Sequence, residues 1–170
     1  MGILNSCNWF AINVRSRHEV QVSARLNGSG VETFLPTVEK LRVWKDRKKV
    51  LPFPLFPGYL FVHTDTSNYA RLRILTTKGV VRLLGTVPGE PEPVPEDQIF
   101  ALKKLVETRS VLAPYPYLSE GRRVRIQKGP LAGVEGIFVE KSDRHTLVLS
   151  VDILRQSTAV TINASDVEAV

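Results

Sequence analysis

The sequence predicts an α+β protein in two parts: an N-terminal α/β sandwich built on an antiparallel sheet, followed by a small β-barrel. Three observations carry this. Up to about residue 108, short apolar runs of strand character alternate with segments of helical period. From Gly121 onward only short strand-like runs follow, punctuated by Gly129, Gly133 and Gly136. Between the two, Ala113-Pro-Tyr-Pro-Tyr-Leu-Ser-Glu120 is broken by prolines that a helix does not cross. The parts are therefore 1–108 and 120–170, with 109–119 as a linker. A chain of 170 residues can hold two such domains. Its 43% hydrophobic and 24% charged residues describe a globular protein, not a disordered one.

In order, Trp9 to Val14 is an apolar run suited to a buried strand. The next segment speaks two languages. Val20, Val22, Ala24 and Leu26 alternate as in a strand, but Ser16 and Glu19 spell a capping box and Asn27-Gly28 a helix stop, which favours a helix over 17–27. Val31 to Val43 reads as strand and turn. It runs into a basic stretch, Glu39 to Lys49, with six bases (Lys40, Arg42, Lys45, Arg47, Lys48, Lys49) and two acids. Such a run is either a solvated hairpin tip or an attraction for nucleic acid.

The stretch Leu51 to Val62, LPFPLFPGYLFV, organises the first part. Prolines at 52, 54 and 57 argue against a central hydrogen-bond ladder in its first half, and Gly58 lets the chain turn. Tyr59 to Val62 reads as a strand, with Tyr59 and Phe61 on one side and Leu60 and Val62 on the other. One face lines a core. The aromatic face needs cover from another element of the domain or from a partner.

Ser67 can cap a helix to about Thr77, with Tyr69, Leu72 and Leu75 as its apolar stripe; Gly79 ends it, and Val80 to Leu84 is a strand. The acidic, proline-rich turn Pro88 to Asp97 leads into a helix over 96–108, striped by Ile99, Leu102 and Leu105/Val106. Strands are predicted at 123–127, 134–140, 146–154 and 158–162. Their β-branching and alternation argue for a barrel at rest.

The formal net charge of +6 favours a polyanionic neighbour such as nucleic acid. The single cysteine, Cys7, allows no intramolecular disulfide and no cysteine metal cluster. His18, His63 and His145 are scattered, and no phosphate-binding glycine loop follows a strand, so no catalysis, metal or cofactor is expected. No run approaches the roughly 20 apolar residues of a membrane span, and no signal segment is evident. A soluble, cytoplasmic protein is the expectation.

The string Gly121 to Glu140, GRRVRIQKGPLAGVEGIFVE, resembles the KOW motif of SH3-like barrels. Following a domain with PLFPGYLFV, it makes essentially the whole chain resemble the NusG family of bacterial transcription elongation factors. Trp9, the FPGYLF core and Gly79-Val-Val-Arg82 fit that family's N-terminal (NGN) domain. The strings Ala113-Pro-Tyr-Pro-Tyr-Leu118 and Gly129-Pro-Leu-Ala-Gly133 are similar to the specialised RfaH and UpxY-type antiterminators.

The resemblance implies that the aromatic face docks on the clamp helices of the largest RNA polymerase subunit. Phe56, Tyr59 and Phe61 would be the anchors, with Leu84, Ile99 and Leu102 beside them. Holding the clamp shut would disfavour the paused state and suppress termination, with no bond made or broken. Arg15, Arg17, Arg25, Lys78 and Arg82 would face upstream or non-template DNA. In the barrel, Leu131, Val134, Ile153 and Leu154 match positions that bind the ribosomal protein NusE or the terminator Rho, although NusG carries phenylalanine at several of them. The helix reads Tyr69-Ala-Arg-Leu72 where RfaH has a His-Thr-Thr run, so the gate-loop contact is not carried over. The competing reading is a ribosomal or other RNA-binding KOW protein. Against it, Ser119 to Thr146 holds six bases to four acids, which is only mildly basic.

Overall fold

The computed structural model describes residues 6–170. The chain divides into two compact units, Met1–Val94 and Pro95–Val170.

The first unit contains β1 (Asn8–Val14), α1 (Glu19–Gly28), β2 (Glu32–Phe34), β3 (Thr37–Val43), β4 (Lys48–Pro54), β5 (Tyr59–Thr64), α2 (Asn68–Leu75) and β6 (Val80–Leu83). Its sheet has the order β2-β5-β1-β6 and is antiparallel throughout. Strands β3 and β4 form a separate two-stranded ribbon. The prolines at 52 and 54 thus sit in a ladder, but one where each strand keeps an open edge. One face of the sheet carries Phe10, Ile12, Val14, Leu60 and Val62, which form a core with Val22 and Leu26 of α1 and Ile74 of α2.

Three local expectations are corrected. The Ser16–Glu19 capping box does not form: α1 begins after His18 without a side-chain cap. Glu19 is instead buried and accepts a hydrogen bond from the Gly58 N–H at 2.8 Å. The helix runs through Gly28, and Gly30, at φ 85°, takes the left-handed conformation after it. On α2, Ser67 does cap, accepting from the Ala70 N–H, but the predicted stripe faces water. Tyr69, Leu72 and Leu75 are 74, 61 and 42% exposed, and Ile74 is the buried residue.

The second unit opens with α3 (Glu96–Glu107), followed by β7 (Leu112–Tyr115), β8 (Arg123–Ile126), β9 (Glu135–Lys141), β10 (Arg144–Val151), β11 (Gln156–Thr161) and β12 (Val167–Ala169). The strands form one antiparallel sheet of order β12-β8-β9-β10-β11-β7. Its outermost strands supply Val167 and Leu112 to the same core as Val124, Ile126, Leu147, Leu149 and Val160, so the sheet curls around one interior. The KOW glycines have separate jobs. Gly129 and Gly133 turn the chain at φ 84° and 89°, while a Cβ on Gly136 would stand 2.7 Å from the Val148 carbonyl.

Two differences from the sequence reading concern the division. Ala101 and Leu105 of α3 join the core of the second unit, so the helix belongs there by packing. The proline-rich segment expected as linker supplies β7, which pairs with β11 as an edge strand, Pro114 opposite Thr158. Edge strands tolerate proline because one side of their backbone has no ladder to serve.

Gly79 is required twice over. Its φ is 104°, and an added Cβ would meet Val22 Cγ2 of α1 at 2.7 Å. Gly79→Ala is therefore expected to destabilise the protein by about 2 kcal/mol or more, combining backbone strain and overpacking, read as a lower urea midpoint. Glu19→Ala, which leaves the Gly58 amide without its partner, is expected to cost about 1–3 kcal/mol. Glu19→Gln keeps the acceptor and should cost about 1 kcal/mol less than that. Equal melting of the Ala and Gln variants would remove this role from Glu19.

Candidate functional site

The second face of the β2-β5-β1-β6 sheet is read directly from its register. Glu32, His63 and Trp9 form one row across β2, β5 and β1. Phe34, Phe61 and Ala11 form the next, and Leu84 extends it by donating its N–H to the Ala11 carbonyl at 2.9 Å. Tyr59, Asn13 and Arg82 form the third. Aromatic contacts tie the rows together. Trp9 stacks on His63 with centroids 5.0 Å apart and meets Phe34 edge-on at 6.4 Å, while Phe34 stacks on Phe61 at 6.0 Å. Trp9 and Phe34 are members of this face that the sequence reading did not select. Pairing β2 with β5 brings Phe34 there, and nothing local announces that pairing.

The turn into β5 is Phe56-Pro57-Gly58-Tyr59, closed by the Tyr59 N–H on the Phe56 carbonyl at 3.1 Å. Proline at the second position and a glycine of φ 84° at the third are the residues a type II turn requires. The Gly58 carbonyl accepts from the Val14 N–H at 2.8 Å and from Asn13 Nδ2 at 3.0 Å, and its amide donates to Glu19.

Four of the six candidate anchors, Phe56, Tyr59, Phe61 and Leu84, thus gather at this turn and face. Burial divides them. Phe56, Phe61 and Leu84 are 2, 0 and 7% exposed, and Tyr59 is half-buried. Phe61 is interior, one row further from the turn and stacked on Phe34. Ile99 and Leu102 lie on α3 of the second unit, both buried.

The five candidate DNA-contacting bases are all exposed or half-exposed and lie near one end of the first unit's sheet. Arg15 donates its backbone N–H to the Gly79 carbonyl, and Arg25 Nη1 donates to the Lys78 carbonyl at 2.8 Å, which joins the end of β1, α1 and the turn before β6. Arg82 stands opposite Asn13, in the row of Tyr59. Arg17 follows β1 with a left-handed backbone, φ 64°.

In the second unit, Val134 is fully buried in the core, the position of an ordinary barrel residue and not of an exposed contact. Leu154 is also buried, whereas Leu131 in the glycine turn and Ile153 in the 3-10 turn at Asp152–Leu154 are half-exposed. A small cavity of about 80 Å³ beside α3 is lined by polar groups including Asp97, Arg123, Glu135 and Asp152. The hydrogen bond from Gln98 Nε2 to Asp152 crosses its rim at 2.9 Å. Tyr117 donates to Asp152 at 3.1 Å; removal from water, and then this bond, raises the phenol pKa above its ordinary value. Among the described residues no group of His, Cys, Asp and Glu side chains is placed to hold a metal ion, and no helix is long and apolar enough to cross a membrane.

Comparison with known proteins agrees with this architecture. The NusG of Helicobacter pylori strain J99, a transcription termination/antitermination protein, is 27% identical over 174 residues, covering 96% of this chain and 98% of its own. That of Staphylococcus epidermidis RP62A is 28% identical, with 94% of each chain covered. A solved structure of Thermotoga maritima NusG shares the fold at a TM-score of 0.52 and 22% identity, covering 97% of this chain and 98% of that one. The family described as transcription termination factor nusG matches residues 7–103, more than half of the sequence. The chain belongs to the NusG family.

Proposed function

We propose that this protein is a transcription elongation factor that docks the second face of its N-terminal sheet on the clamp helices of RNA polymerase and suppresses pausing and termination. One observation carries the reading. Both helices of the first unit pack on the opposite face of the sheet, while Trp9, Phe34, Phe61, Leu84 and Tyr59 are collected on this one. Rigid aromatics bury much area at low entropic cost, which suits anchors of a protein interface. Phe56, Phe61 and Leu84 are buried and shape the face from within. Tyr59 is the anchor already within reach of solvent.

No chemical step is needed: binding one conformation of the polymerase better than another shifts its equilibrium by the difference in affinity. Arg15, Arg17, Arg25, Lys78 and Arg82 would add phosphate contacts to non-template DNA beside the docked face. Leu131 and Ile153 are the half-exposed candidates for a NusE or Rho contact, and Leu154 is buried. The likeness to RfaH and UpxY-type antiterminators rests on the 113–118 and 129–133 strings. An RNA-holding barrel is less well supported, because Arg125 pairs with Glu135 at 2.5 Å and Arg123 approaches both Glu135 and Asp97.

The test is capture of purified bacterial RNA polymerase by the full chain. Tyr59→Ala is expected to weaken binding by about 2 kcal/mol, roughly thirtyfold, with little change in melting. Leu60→Ala, in the core, is expected to cost about 2–5 kcal/mol of stability while sparing affinity per folded molecule. Wild-type capture by Tyr59→Ala and by a Phe56→Ala variant would move the docking site off this face.

A further inference from the structure

We infer that the β3–β4 ribbon is a separate binding site for double-stranded DNA, engaging its phosphates without reading sequence. The site is distinct from the cluster around Arg15 and Arg82 and does not rest on clamp docking.

Residues 39–50 are all exposed, so the distal ribbon stands in water on both faces. Alternation along the strands, with the register Arg42↔Lys49, Lys40↔Leu51 and Val38↔Phe53, places Lys40, Arg42 and Lys49 on one face with Phe53. Cation–π contacts agree: the Arg42 guanidinium lies 4.8 Å and the Lys40 ammonium 5.8 Å from the Phe53 ring centroid. Leu41, Val43 and Val50 occupy the other face, with Lys48 beside Val43 as its one base. At the tip, Arg47 lies 5.4 Å from the Trp44 ring.

Folding alone does not account for this arrangement. Arg42 and Lys49 stand directly across from each other, and like charges in register destabilise a strand pair. The two acids of the segment are elsewhere, Glu39 on the opposite face and Asp46 in the tip. Among the described residues none of the six bases forms an ion pair. The missing counter-charge has to come from outside, and a row of phosphates supplies it.

Shape and composition select the polyanion. A two-stranded ribbon fits the major groove of B-form DNA, about 12 Å wide, whereas the A-form groove of duplex RNA is too narrow. Strands of seven residues, about 23 Å long, present the three bases along one side. The ribbon has no Asn or Gln to read adenine, the Arg42 guanidinium lies on the Phe53 ring, and the two lysines act on phosphate as point charges, so its affinity is for backbone. Insertion into a membrane would bury the Leu41–Val43–Val50 face together with the charges of Glu39 and Lys48, and turn the Lys40–Arg42–Lys49 face away from the lipid phosphates, so a lipid surface fits less well.

The experiment is fluorescence anisotropy of a short mixed-sequence DNA duplex with the full chain, between about 50 and 200 mM salt. K40Q/R42Q/K49Q is expected to weaken binding at low salt by about tenfold or more. It should flatten the slope of log K against log salt by about 2.7, at roughly 0.9 for each phosphate no longer neutralised. The charge-matched K128Q/K141Q/R144Q, on exposed positions of the second unit, should change neither quantity by as much. Circular dichroism of each variant checks folding. Equal losses from the two triples would reduce the effect to net charge and overturn the site. So would equal or tighter binding of duplex RNA or single-stranded DNA, or phosphatidylserine vesicle binding that depends on the same three residues while DNA binding does not. Polymerase capture by the ribbon triple reports on the clamp face separately, so failure of docking leaves the DNA result standing.

Discussion

The first unit depends on how Gly58 is held. Its left-handed backbone, φ 84°, is open to glycine at little cost, and a Cβ would find no close neighbour there, so conformation and not space is what demands glycine. Three bonds then fix it: Glu19 takes its amide, and the Val14 amide and the Asn13 side chain both donate to its carbonyl. These bonds join the first turn of α1, the end of β1 and the start of β5. They also set the phase of β5. A strand entered one residue early would exchange its two faces, sending Tyr59 and Phe61 into the helix-covered core and Leu60 and Val62 out of it. The identity of the docking face therefore rests on a buried glutamate some forty residues earlier in sequence.

The same constraint explains why the aromatics behave as a set and yet differ. Tyr59 follows the turn directly, in a row with the polar Asn13 and Arg82, and stays half-exposed. Phe61 is one row inward, where Ala11 beside it leaves room and Phe34 stacks over its ring. Position relative to the turn, not residue type, separates a reachable anchor from an interior one. Truncating Phe61 would thus weaken packing and docking together, and only Tyr59 isolates the docking.

Much of this fold was legible in the sequence because its strands are short, apolar and bounded by glycine or proline, and because Gly121 to Glu140 is a specific string. What was not legible depended on contacts between distant segments. Ser16-x-x-Glu19 satisfies the capping-box spacing, but Gly58 offers Glu19 a part-buried amide, and leaving the buried carboxylate and that donor unpaired costs more than an uncapped, solvated helix end. On α2 the sequence NYARLRIL has apolar groups on two sides; Tyr69, Leu72 and Leu75 have the better spacing, yet the sheet receives Ile74. Periodicity reports that a helix is amphipathic and not which side a sheet will cover. The proline-rich segment before Gly121 could serve as linker or edge strand, and only the open side of β11 decides for β7.

The ribbon shows the same limit from the other direction. Prolines at 52 and 54 rightly exclude a place in the central sheet, since a central strand needs amides on both sides. They do not exclude a ribbon of two strands, where each backbone has one side facing water. That open geometry also lets bases accumulate: with no second sheet or helix over either face, a lysine or arginine keeps its hydration and costs little. Exposure alone would scatter those charges over both faces and pair them with acids. Here register gathers Lys40, Arg42 and Lys49 beside Phe53 and places two of them directly across from each other. The departure from what folding favours lies in that arrangement, and a ligand of opposite charge is what removes the repulsion.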